Sequence, residues 1–157
     1  MNKDVLVLGI GNECRGDDGA GIAVSRAIQM RNIPNVEVRK EIRDGLALME
    51  SWNGFERVLA VDAVSSIEKG VPGAIYRFEV GQQALPAKFL NYSTHAFGLA
   101  EAIELARALR QLPRSFVVYG IEGKVFHEKM GLSQKVEKAV SRVEESLLQD
   151  ICRAVSK

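Results

Sequence analysis

Only two of the 157 residues are cysteine, Cys14 and Cys152, and they stand far apart and outside any CxxC pair. That scarcity argues against a zinc knuckle or a redox dithiol, and no disulfide is indicated. No apolar run approaches the roughly 18 residues of a membrane span. The first residues, MNKDVLVLGI, lack a signal-peptide cleavage pattern and pass at once into strand-forming sequence, so a cytoplasmic protein is expected. An excess of one charge is missing too: 21 basic and 20 acidic residues leave a formal net charge of +1. No long-range field therefore favours nucleic acid or an anionic membrane, and neither is expected as a partner. Repeats, low-complexity tracts and linkers are also absent. What remains is a chain 46% hydrophobic and 26% charged, expected to form one domain over residues 1–157 with a full core.

The pattern alternates between strands and helices. Val5, Leu6, Val7 and Leu8 form a continuous apolar run ending in glycine, as expected of a strand buried on both faces. A helix follows from about Asp18, with Ser25, Arg26, Gln29 and Asn32 outward and Ile22, Ala23, Ala27 and Met30 toward the sheet. Val36–Ile42 reads as a strand, Gly45–Trp52 as a short helix, and 57–61 as a strand closed by Asp62. Residues 73–80 alternate like a half-exposed strand that pairs antiparallel at an edge or within a mixed sheet. A helix over 94–112, capped by Ser93 or Thr94, presents Leu99, Ala102, Ile103, Ala106 and Leu109 inward. A strand over 115–121 and a terminal helix Gln134–Val155 complete the pattern; Val136, Val140, Val143, Leu147 and Ile151 face inward. The expected fold is a three-layer α/β/α sandwich around a twisted, mostly parallel five-stranded sheet.

The stretch GIGNECRGDDGAGIAV sets the functional problem. A glycine-rich turn between strand and helix suits phosphate, but the third glycine of GxGxxG is missing because Cys14 stands there. Asp17 and Asp18 would also oppose a pyrophosphate at the helix start. A GxSxG nucleophile motif is absent, so Ser93 reads as a cap, and Cys14 with His95 is only a minor nucleophile pair.

In open α/β sheets ligands collect outside the carboxyl ends of the strands. Asp18, Asp62 and His95 are the residues expected to converge there. Two carboxylates and an imidazole suit a borderline divalent ion such as zinc or nickel and leave coordination positions open. A histidine in a first helical turn is favoured as neutral imidazole, the form that ligates. Each residue also has a structural reading: Asp18 as a helix cap, Asp62 as a cap or turn residue, His95 as a partly buried helix-start side chain. Asp17 is expected to face solvent or stand behind the ligands, His127 to lie on a surface loop, and Trp52 in the core or a groove wall.

Taken in order, GIGN…GDDGAG, VLAVDAV and STHAFGLAEAI resemble the endopeptidases that mature the large subunit of nickel–iron hydrogenases. The resemblance continues through VVYGIEG and MGLSQKVEKAV. It implies that Asp18, Asp62 and His95 contact nickel already installed in a hydrogenase large-subunit precursor, whose C-terminal extension the enzyme then removes. Nickel would come with the substrate, and other divalent metals such as zinc would also suit the site. One departure is KEIRDGLALM, where many members carry a DGGT-like stretch: Gly45 and Leu46 fit, but Asp44 is displaced, and no role is assigned to it.

The resulting expectation is a cytoplasmic, monomeric, metal-dependent endopeptidase. The loops over 81–92 and 125–133, flanking the crevice, are expected to dock the precursor. The rival readings are a nickel-sensing chaperone or checkpoint that holds the same precursor without cutting it, and a nucleotide-binding domain.

Overall fold

The computed structural model describes residues 4–42, 44–65, 70–81 and 98–155. Five strands form one sheet in the order β2-β1-β3-β5-β4. They are β1 (Val5–Ile10), β2 (Val36–Ile42), β3 (Arg57–Ser65), β4 (Ile75–Glu79) and β5 (Ser115–Gly123). All pairs are parallel except β4 with β5, which places the alternating segment antiparallel at the sheet edge. The described helices are α1 (Ala20–Met30), α2 (Gly45–Trp52), α3 (Leu99–Ala108) and α4 (Gln134–Val155). This is the expected three-layer sandwich.

The period-2 geometry of the strands sorts the core into two halves. Leu6, Leu8, Val58, Ala60, Phe116 and Val118 pack with Leu48, Trp52 and Ile103 of α2 and α3. Val5, Val7, Leu59, Val61, Val117 and Tyr119 pack with Val24, Ile28, Val143 and Leu147 of α1 and α4. Strand β1 is buried throughout because both of its edges and both of its faces are covered. Trp52 belongs to the core, its ring edge-on to Phe116 at 4.9 Å between centroids. Arg77 on β4 reaches across to Asp150 on α4 at 2.8 Å, and the Tyr119 hydroxyl bonds the same carboxylate, tying the edge strand to the last helix.

Several boundaries differ from the sequence expectation. β3 does not close at Asp62 but runs on to Ser65, because β5 continues beside it and pairs Asp62 with Gly120 through Ser65 with Gly123. α1 begins at Ala20 after a 3-10 turn over Gly16–Gly19, and its inward face is rotated. Ser25, expected outside, is buried beside Gly9, and its hydroxyl donates to the Ile22 carbonyl at 2.9 Å; Met30, expected inside, is 80% exposed. Small residues at positions 21 and 25 let the helix backbone come close to the sheet, which a Met-bearing face does not permit. α3 is capped at Gly98, whose N–H donates to Glu101, and ends at Ala108, so Leu109 is exposed rather than part of the inward stripe. Arg110 then takes a positive φ of 56°, and Gln111 N–H closes on the Ala106 carbonyl. Ser93 and Thr94 lie outside the described residues. Cys14 and Cys152 are both free and exposed.

The close approach at Gly21 is testable. A Cβ there would collide with the backbone carbonyls of Val61 and Ile10, the latter 2.6 Å away. Replacing a helical glycine by alanine gains about 1 kcal/mol in propensity. Overpacking against main chain, which cannot rotate away, costs about 1–3 kcal/mol. Gly21→Ala is therefore expected to lower the urea midpoint; a raised midpoint would show that the helix packs more loosely than described.

Candidate active site

The chain leaves β1 toward β2 on one side and returns to β3 on the other, so the carboxyl ends of β1 and β3 flank a topological switch point, where crevices form in open α/β sheets. Asp18 and Asp62 both lie there. The β1–β3 ladder ends at Gly9 paired with Val61, leaving Asp62 one residue beyond it with only β5 as neighbour. On the β1 side the chain turns sharply at Gly11, with φ of 132°. A side chain there would collide with the Asp18 carbonyl oxygen. Asn12 N–H then donates to the Asp18 carboxylate at 3.2 Å, holding Asp18 against the strand end. The 3-10 turn itself packs against β3.

Both carboxylates are buried, Asp18 at 0% and Asp62 at 5% exposure. Asp18 does not cap α1: Gly19 stands at the cap position, without a side-chain bond. Carboxylate oxygens are the donors that hard and borderline divalent metals take. The donor chemistry thus fits the expected ion. His95 and most of the 81–92 loop lie outside the described residues. Among the described residues no group of three His, Cys, Asp or Glu side chains converges as a metal site.

Asp17 does not face solvent. It is fully buried, and its carboxylate accepts from the backbone N–H groups of Lys124 at 2.8 Å, Val125 at 3.0 Å and Ser133 at 2.7 Å, and from the Ser133 hydroxyl at 2.9 Å. One side chain thereby fastens the glycine turn to the end of β5 and to the start of α4. Backbone bonds run alongside: Gly16 N–H to the Lys129 carbonyl, Asp17 N–H to that of Val125, and Lys129 N–H to that of Cys14. Arg15 adds a bond to the Phe126 carbonyl at 3.0 Å. The 125–133 loop is therefore docked beside Asp18, with His127 and Met130 exposed on it.

Two further carboxylates complete the picture. Asp44 is the N-cap of α2, accepting from Leu46 N–H at 3.1 Å, which is a structural role. Glu122, not singled out in the sequence because β5 was expected to end at Ile121, is 5% exposed and accepts from the Tyr76 hydroxyl at 3.0 Å. An acidic residue at a core-facing strand position was the signal for it. Away from the crevice, a cavity of about 790 Å³ opens at the amino ends of β1, β3 and β5, lined by Val5, Arg57 and Ser115; it is at the wrong end of the sheet for the aspartates.

The fold defines the class: an open α/β domain with buried aspartates at the switch point of its sheet. Comparison with known proteins makes it particular. The hydrogenase maturation protease (HycI) family model matches residues 25–150. A Methanocaldococcus jannaschii protein assigned as a hydrogenase maturation protease is 33% identical over 159 residues, covering 95% of this chain and 97% of its own. The Escherichia coli hydrogenase 2 maturation protease is 27% identical, with 92% and 88% covered. Among solved structures, the hydrogenase maturating endopeptidase HybD of Escherichia coli superposes with a TM-score of 0.82 at 25% identity, covering 96% of this chain and 93% of that one. The maturation protease HybD from Thermococcus kodakarensis gives 0.72 at 27% identity, with 93% and 97% covered. The chain belongs to the hydrogenase maturation protease family.

The Asp17 fastener has a pH signature. Burial by itself pushes its carboxyl up, but the hydrogen bonds from Ser133, Lys124 and Val125 together outweigh this and hold it below the ordinary value of 3.8. A folded pKa below the unfolded one stabilises the fold fully above about pH 4, and that contribution is lost as pH falls through the folded value. Asp17→Ala, which strands buried N–H donors, is expected to cost about 2–4 kcal/mol near neutral pH in chemical denaturation. The gap to wild type should narrow below pH 4; a gap independent of pH would mean that the carboxylate charge is not what holds the turn.

Proposed function

We propose that the protein is a cytoplasmic, monomeric endopeptidase that removes the C-terminal extension of a nickel-loaded hydrogenase large-subunit precursor. Asp18, Asp62 and His95 would recognise the nickel carried by that substrate. The observation that supports this reading most is the placement of two buried aspartates from different elements at the β1–β3 switch point of a chain in this family. A nickel-loaded precursor would add a cation to this acidic site that an unloaded one lacks, which would favour loaded substrate.

The residues divide the work. Asp18, held by Asn12, and Asp62, held by the β3–β5 ladder, present carboxylates whose positions are set before substrate arrives. The 125–133 loop, fixed by Asp17, and the 81–92 loop would grip the precursor on either side of the crevice. A bound divalent metal supplies Lewis-acid polarisation of a carbonyl or activation of a water. Zinc would suit the same donors in the absence of substrate.

The test is to incubate the purified protein with the precursor, with and without nickel loaded, and follow intact mass. A nickel-dependent loss of a C-terminal peptide is expected. Asp18→Ala, Asp62→Ala and His95→Ala should each slow cleavage about 100-fold or more, near 2.7 kcal/mol of transition-state stabilisation. Wild-type rates in these variants would remove the three-residue assignment. A stable complex with an intact precursor would make the protein a checkpoint rather than a protease.

A further inference from the structure

We infer that Glu122 is a substrate-positioning residue of the crevice, its Oε2 accepting a hydrogen bond from a main-chain N–H of the bound precursor. This rests on the protease reading for the identity of the substrate. On β5, Phe116 and Val118 face the α2–α3 side of the sheet, and the strand period continues that face through Gly120 and Glu122. On β3 the same face carries Val58, Ala60 and Val64, with Asp62 between the last two. Asp62 is paired with Gly120 and Val64 with Glu122. Glu122 is thus the diagonal neighbour of Asp62 on one face, a separation long side chains span. Gly120, without a side chain, stands directly beside Asp62.

The side chain is buried, yet only half of its carboxylate is used. Oε1 accepts from the Tyr76 hydroxyl at 3.0 Å, while Oε2 is buried with no hydrogen-bond partner. No basic side chain among the described residues pairs with it. The backbone leaves it little room to seek one: Glu122 N–H donates to the Ala74 carbonyl at 2.9 Å, and Gly73 N–H donates to the Glu122 carbonyl at 2.7 Å. A buried carboxylate oxygen without a donor bears its full desolvation penalty, and native proteins keep such atoms where a ligand, ion or water completes them. The missing group is a hydrogen-bond donor. An extended peptide laid across the carboxyl ends of β3 and β5 brings main-chain N–H groups past this position, beside the carboxylates that face the scissile region.

Glu122→Gln separates this role from a structural one. The amide keeps the size and retains an acceptor for Tyr76, but presents NH2 where Oε2 stood. Precursor affinity should fall about tenfold in a binding titration, with KM raised by a similar factor, while Tm stays unchanged or rises because a buried charge has gone. Wild-type affinity and KM in the variant, or a lower Tm accompanying the loss, would overturn the inference. If the wild type binds precursor without cutting it, the protease reading falls while the affinity comparison still decides on Glu122. A wild type that binds no precursor would overturn both.

Discussion

The four hydrogen bonds to the Asp17 carboxylate join three segments that are distant in the chain: the turn after β1, the end of β5 and the start of α4. Backbone bonds from Gly16, Asp17 and Lys129 run beside them, but only the carboxylate gathers the end of β5 and the start of α4 onto the turn that carries Asp18. The charge belongs where it is, since N–H groups at a helix start and a loop converge on one site that an anion completes. The two adjacent aspartates thus have different duties. Asp17 fastens the turn to β5 and α4, and Asp18 is held by Asn12 beside the end of β1.

The rest of the crevice follows from strand lengths. β1 stops at Ile10, whereas β3 and β5 run on together past Asp62, so the sheet has a step at its carboxyl edge. Asp62 and Glu122 sit on the taller side of that step and Asp18 on the shorter. Main-chain ladders hold the first two and the Asn12 bond holds the third, so all three positions are fixed by the fold. The cavity among arginines at the other end of the sheet has no such construction.

Much of the architecture was legible in the chain because it rests on local pattern. The apolar run of β1, the 3.6-residue stripe of α4 and the cap chemistry near α2 each carry their signal within a few residues, and β2, α2 and α4 begin and end where the sequence placed them. The sequence also placed Asp18 and Asp62 on the carboxyl side of the sheet, although Asp62 lies inside β3 rather than past its end. The failures have a common physical origin. Ser25 is buried and Met30 exposed because the helix face is selected by how closely Gly21 approaches β3, and Asp62 is internal to a strand because of a partner more than fifty residues away.

The sequence by itself determined the order of elements, the parallel character of the sheet and the acidic content of its carboxyl edge, because hydrophobic period and turn chemistry are properties of neighbouring residues. Only the tertiary structure decided which aspartate fastens the turn to β5 and α4 and which is held by Asn12 at the end of β1. The two residues are adjacent and chemically identical, and what separates them is whether N–H groups more than a hundred positions away arrive at the carboxylate. The same reason hid Glu122, whose meaning comes from lying on one sheet face with Asp62.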